Sequence, residues 1–202
     1  DNIVWSGNYY QEGKDWEWLA NIEYFVSGEK VINQEAGLRI HGGKTRSATQ
    51  KTLKIYARSE YGKKRFDYPF FKTKDQESYK RLLVRSSMGC WHHTILKDAF
   101  AHQMVRNLNI GIQEFQPVIV FLNGEYWGIH ELREKIDRFK LAEDHDLESD
   151  SIKIYGSWGS VIEGPHDSDF YTFRDQYLAN NDITDPEVYD YVKSKIDIDN
   201  II

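Results

Sequence analysis

An unbroken apolar run, Val118-Ile119-Val120-Phe121-Leu122, meets Asn123-Gly124 and then a second strand-like stretch, Glu125–Leu132. Asn-Gly accepts positive φ at both central positions of a two-residue turn, which the right-handed twist of paired strands demands. The chain is therefore expected to double back here as an antiparallel hairpin. Because the apolar run does not alternate, it reads as a central strand covered on both faces. Pro117 stands just ahead of it.

Strand signals also fill the first third of the chain. Ile22–Val26 reads as a strand, Ser27-Gly28-Glu29-Lys30 as a turn, and Val31 to His41 as a second strand. In the latter, Leu38 and Ile40 face one side while Arg39 and His41 face the other. A basic glycine turn follows, Gly42-Gly43-Lys44-Thr45-Arg46-Ser47. Leu53, Ile55 and Ala57 then alternate with Lys54, Tyr56 and Arg58, the period of a half-buried strand. Gly62–Arg65 is a further turn, 66–80 a surface loop anchored by Phe70-Phe71, and Leu82–Val84 a short strand.

Helix signals are fewer. Over His93–Leu108, apolar residues recur every four positions at Leu96, Phe100, Met104 and Leu108, with Asn109-Ile110-Gly111 as a stop. Asp137 can cap a short helix over 138–143, and Asp167 or Ser168 one that carries Phe170, Phe173, Tyr177 and Leu178. Asp185-Pro186 pairs an N-cap with proline at the first helical position. Asp197–Ile202 looks like a helix opening whose apolar pattern has only begun, so the natural protein is expected to continue. The order predicts an α+β fold: a mostly antiparallel sheet with one main packed helix, then the start of a helical lobe. The expected divisions are an irregular segment over 1–20, a sheet lobe over 21–137 and a helical part over 138–202.

Charge is unevenly spread. Residues 1–142 hold 22 Lys and Arg against 17 Asp and Glu, whereas 143–202 hold 4 against 15. Between Arg39 and Arg85 there are 14 basic and 4 acidic residues. Such an excess suits either a solvated basic sheet face or a site for a polyanion such as nucleotide phosphates. Aromatic residues do not interleave with these cations at a stacking period, which argues against nucleic acid as the partner. A single cysteine, Cys90, excludes an intramolecular disulfide framework. No apolar run is long enough to span a membrane.

Several familiar sites can be set aside. Gly37 to Thr45 is one residue too long for a phosphate-binding P-loop and leads into a strand instead of a helix. Backbone N–H groups of the glycine turn, with Lys44 and Arg46, could still approach phosphate; an ordinary hairpin with solvent-facing cations fits equally. His92 and His93 are adjacent, His102 lies nine residues beyond His93, and one cysteine cannot complete a zinc site. No G-x-S-x-G elbow occurs, and the acidic run Asp144, Asp146, Glu148, Asp150 lacks the glycine and final glutamate of an EF-hand.

Three stretches together resemble the CotH (spore coat protein H) family of atypical kinases. Gly37-Leu38-Arg39-Ile40-His41-Gly42-Gly43-Lys44-Thr45-Arg46-Ser47, with Gln50-Lys51-Thr52-Leu53-Lys54-Ile55-Tyr56, is similar to its glycine-and-basic hairpin and Lys-Ser/Thr strand. Val120 to His130, with Leu132-Arg133-Glu134-Lys135-Ile136-Asp137, resembles its most recognisable signature. Asp185-Pro186-Glu187-Val188-Tyr189, with Ile196 to Asn200, is similar to the stretch ahead of its catalytic region.

The resemblance implies a divergent kinase-like fold that binds ATP and Mg²⁺ and transfers phosphate to protein Ser/Thr hydroxyls. The glycine hairpin, with Arg39, Lys44 and Arg46, would cover the phosphates, and Lys51 or Lys54 would reach them. The residues leave that choice open, because the two lysines lie on opposite faces of one strand. Asp98, on the 93–108 helix, would pair with a cation or simply face solvent. Arg133-Glu134-Lys135 would lie at or just before the hinge, unless Glu134 and Lys135 form only a surface pair. The family's catalytic carboxylates follow the Ile198-Asp199-Asn200 region, so no catalytic or metal-holding residue is assigned here. An exported or envelope-associated bacterial protein is implied. The alternative is a non-catalytic surface adhesion module that uses exposed Trp and Tyr.

Overall fold

The computed structural model describes residues 7–87, 94–108, 110–156, 159–165 and 168–200. The chain is α+β and divides into two compact units, one over residues 1–105 and 112–135, the other over 106–111 and 136–202.

The first unit is built on a six-stranded antiparallel sheet. Its strands are β1 (Trp18–Val26), β2 (Glu29–His41), β3 (Thr52–Tyr56), β6 (Arg81–Arg85), β7 (Phe115–Leu122) and β8 (Glu125–Glu134), in the spatial order β1-β2-β3-β6-β8-β7. A two-stranded pair, β4 (Phe66–Asp67) with β5 (Ser78–Tyr79), lies within the 66–80 segment. Asn123 and Gly124 both take positive φ, 51° and 83°, and close the β7–β8 hairpin as expected.

Cross-strand registers sort the side chains onto two faces. Ile55, Leu82 and Leu132 lie on one face and pack with Ile32, Ala36 and the aromatic residues Phe66, Phe70, Phe71 and Tyr79. The rings of Tyr24, Tyr68, Phe70, Phe71 and Tyr79 meet mostly edge to face at centroid distances of 5.2–6.4 Å, a geometry that adds to the area they bury. The 66–80 segment therefore supplies four of the ten buried residues of this core among the described residues, more than a surface loop with a local anchor would.

Two strand expectations are corrected. β3 is covered on both sides, with Thr52 and Tyr56 buried as well as Leu53 and Ile55. β7 is an edge strand whose residues alternate, leaving Ile119 and Phe121 exposed. Pro117 lies inside it, a position only an edge tolerates. The backbone N–H of Glu134 donates to the carbonyl of Glu114, so in this register Glu114, Gln116 and Val118 turn their backbone groups to β8, ahead of the register shift at Val120/Phe121. The amide nitrogen of Pro117 therefore belongs to the outward row, where its missing hydrogen costs no bond of the hairpin.

The main helix is also shorter than its pattern suggested. α1 spans Lys97–Met104, and of the expected stripe Leu96, Phe100, Met104 and Leu108 are all exposed. Its polar side makes the contacts: Ala99 is buried, and Asp98 reaches arginines of the sheet. The four-residue apolar spacing therefore does not mark the packing face, which is given by Ala99 and the ion pairs of Asp98. The residues His92, His93 and Asn109, expected at its ends, lie outside the described residues.

In the second unit, α2 (Arg138–His145) starts at Asp137, whose Oδ1 accepts from the N–H groups of Phe139 and Lys140 at 3.0 and 3.1 Å. A short hairpin, β9 (Ile154–Tyr155) with β10 (Val161–Glu163), follows. The backbone N–H of Arg138 donates to the Glu163 carboxylate at 3.0 Å. The expected helix beyond Ser168 begins as one α turn, α3 (Asp169–Tyr171), then widens into a π turn over Thr172–Tyr177, and Ser168 makes no side-chain cap. Asp167, the other proposed cap, lies outside the described residues. α4 (Pro186–Lys195) starts as read, with Asp185 accepting from the N–H of Glu187 at 2.9 Å. Val192 is the buried residue of α4, and Tyr177 meets Tyr191 at 4.3 Å.

Candidate functional site

The other face of the six-stranded sheet is polar, and its layout follows from the strand registers. One row runs Arg39, Lys54, Leu83, Arg133, Phe115 across β2, β3, β6, β8 and β7. The neighbouring row holds His41 opposite Thr52, and Arg85 opposite Glu131. A third row holds Gly37, Tyr56 and Arg81. Alternation thus places eight charged or ionisable groups on one face within three rows, Tyr56 included.

His41 reports the local potential. Burial first, then the nearby charges of Lys54, Lys135, Arg46 and Arg85, push its pKa down to about 4. It is therefore neutral at pH 7, inside a group of cations.

The arginines of the central strands are fixed by carboxylates. Asp98 of α1 accepts from Nη1 of both Arg85 and Arg133. Burial raises the Asp98 carboxyl, but the hydrogen bond and charge of Arg133, followed by the charges of Arg85 and His102, outweigh it and hold the group below its ordinary value. Arg133 is fully buried, with Nη2 2.8 Å from the equally buried Glu131.

A second clamp stands at the entry to β1. The Glu17 carboxylate, wholly buried, accepts from Arg39 Nε at 2.6 Å, Arg58 Nε at 2.7 Å and Tyr61 Oη at 3.1 Å. Both guanidinium groups lie 4.8 Å from the Tyr56 ring centroid. A Cβ on Gly37 would stand 2.4 Å from Glu17 Oε1, so glycine makes room for the carboxylate.

The residues singled out in the sequence have different partners. Arg39 is occupied by Glu17. Arg46 is buried and donates to the carbonyls of Gly42, Tyr9 and Gln11, the last two at 3.1 and 2.9 Å, with Glu12 at 3.2 Å. Lys51 Nζ donates to the carbonyls of Arg46, at 2.8 Å, and Ala48, and lies 4.5 Å from the Tyr9 ring centroid. It thereby holds the turn Lys44–Ser47, in which Lys44 itself is exposed. Glu134 is buried on the apolar face, where it accepts from Lys74 Nζ at 2.7 Å and the N–H of Glu114 at 3.0 Å. Lys54, Lys135, Arg46 and Arg85 are the cations whose charges reach His41, and Asp98 supports Arg85 from α1.

Comparison with known families settles the lineage. The family model described as CotH kinase protein matches residues 38–202. The chain belongs to the CotH kinase family. No curated protein matches it. The CotH match begins at Leu38, inside β2, and so covers His41, Lys54, Arg85, Asp98, Arg133 and Lys135, while Glu17 precedes it. His41, Arg85 and Glu131 escaped the sequence reading as site residues. The period of two that put His41 beside Arg39 was visible, but the strand order that brings Arg85 to the same row was not.

Proposed function

We propose that the polar sheet face around His41 binds the phosphate end of ATP. On this reading the chain is the kinase-like N-lobe and the start of the helical lobe of a CotH enzyme that phosphorylates protein Ser/Thr hydroxyls. The observation that carries it is the strand register, which sets His41, Lys54 and Arg85 on one sheet face, with Lys135 and Arg46 near enough that their charges add to those of Lys54 and Arg85 at the imidazole. A triphosphate is the ligand whose charge such a group offsets best, and membership of the CotH family gives that ligand a reaction to serve. Of the two lysines the sequence offered, Lys54 is the phosphate-side one, because it shares the helix-bearing face with Arg85 and Arg133. Lys51 acts through the turn it holds.

Magnesium accompanies the triphosphate in this reading. Among the described residues no group of three or more His, Cys, Asp and Glu could hold a metal ion, so none is assigned to it and no transfer step is derived. An exported or envelope-associated bacterial setting belongs to the same proposal.

Titration calorimetry with MgATP tests it. Lys54→Ala should weaken binding about tenfold or more, the loss of one charge-assisted contact. Lys51→Ala should lower stability and leave affinity within about twofold, since its ammonium is committed to carbonyl oxygens. Unchanged affinity in Lys54→Ala, or an equal loss in both variants, sinks the assignment.

A further inference from the structure

His41 has no part in the phosphate reading beyond marking the potential, yet its position gives it one. It ends β2 opposite Thr52, on the face that carries Lys54, with Arg85 at the end of β6, two strands away beyond β3. The turn that follows carries Lys44 and the buried Arg46. Its charged surroundings are Arg39 on its own strand, tied to Glu17; Lys54 from β3; Arg85 from β6, tied to Asp98 of α1; Glu131 from β8, beside Arg133; and Lys135 just past β8. Cations outnumber carboxylates in that set. A neutral imidazole among them is the group that a bound polyanion would change most.

We propose that His41 is a direct ligand of the bound phosphate, taking up a proton from solvent as the anion enters and donating an N–H to one of its oxygens. This rests on the nucleotide reading and adds to it a binding residue and a pH dependence. The physics is a cycle. In the free chain, burial and the surrounding cations oppose a positive charge on His41. A phosphate dianion cancels the cationic part of that opposition and offers an acceptor to the imidazolium, so protonation and anion binding favour each other. Binding therefore tightens as pH falls through the raised value of the complex, and the gain levels off near pH 4, where free His41 protonates as well.

The test is histidine NMR on the whole chain from pH 4 to 8, with His41→Gln used to assign the signal among the seven histidines. Spectra are taken without ligand, with sulfate and with MgATP. Sulfate does not titrate in this range, so any movement of the midpoint belongs to the protein. The His41 midpoint should rise by about one unit or more with either anion, a tenfold or greater gain in proton affinity. Calorimetry of MgATP in buffers of different ionisation heat should show proton uptake in the native chain and less in His41→Gln.

If MgATP binds and the His41 midpoint stays put, this inference is overturned while the nucleotide reading stands. If sulfate moves the midpoint and MgATP does not bind, His41 is an anion ligand and the nucleotide reading fails. If neither anion binds, both are overturned. Where the His41→Gln variant folds poorly, triple-resonance assignment of the native chain identifies the His41 signal, and the readout stands.

Discussion

Asp98 Oδ2 accepts from the Nη1 atoms of both Arg133 on β8 and Arg85 on β6, so one carboxylate on α1 bridges two neighbouring strands. Arg133 is the larger stake, because its side chain is fully buried while Asp98 is about one-third exposed. Truncating Asp98 leaves Arg133 with Glu131 as its remaining charged neighbour. Breaking a fully buried pair costs about 3–5 kcal/mol, and the exposure of Asp98 reduces that here to about 2 kcal/mol. Asp98→Ala should lower the urea midpoint accordingly, and Asp98→Asn should recover part of the loss through a neutral hydrogen bond.

Acid should release both clamps. Glu17 and Asp98 each titrate below their ordinary values; at Glu17 burial acts upward and the hydrogen bonds of Arg58 and Arg39 outweigh it. A carboxyl lowered on folding adds stability that is complete above its unfolded pKa and is lost as pH falls through the folded one. The window therefore lies below about pH 4. Stability measured from pH 6 to pH 2 should fall through that window in the native chain. Glu17→Gln and Asp98→Asn should each flatten the fall, starting from lower stability at pH 6.

Gly128 stands at φ 114°, and a Cβ there would lie 2.0 Å from Nε2 of Gln50, which donates to the carbonyl of Trp127 at 3.0 Å. Gly128→Ala meets strain from the backbone and from Gln50, about 1–3 kcal/mol together. Adding Gln50→Ala removes the clash but not the dihedral cost, so the double variant should regain only part of the lost stability in thermal unfolding.

The Asp137 cap is predicted to be worth about 1 kcal/mol to α2. Asp137→Ala should show faster amide exchange over the first turn of that helix, with Asp137→Ser close to the native rate. Equal exchange in all three chains would deny the cap its role.

Local chemistry was legible in the sequence. Asn123-Gly124 named its own turn, Asp137 and Asp185 named their helix starts, and alternation set Arg39 with His41 on one strand and Lys54 with Tyr56 on another, while only the β2–β3 register brings Arg39, His41 and Lys54 to one face. The errors share a cause in distance along the chain. Nothing near Arg39 shows that Glu17 will neutralise it, and the carbonyls of Tyr9 and Gln11 that occupy Arg46 are 37 and 35 residues away. The apolar run of β7 looked central because a sequence does not reveal which strand lacks a second neighbour. The stripe on α1 misled for a related reason, since Arg133, the buried partner of Asp98, lies 35 residues beyond it.

Pro117 has a consequence for how the molecule survives in a crowded solution. The outward row of β7, beside the exposed Ile119 and Phe121, would otherwise be a ready template for a strand from another copy. Because the nitrogen in the middle of that row carries no hydrogen, an incoming chain would find a gap where it needs a donor. A single ring closes the sheet against growth on that side without taking any bond from the hairpin it sits in.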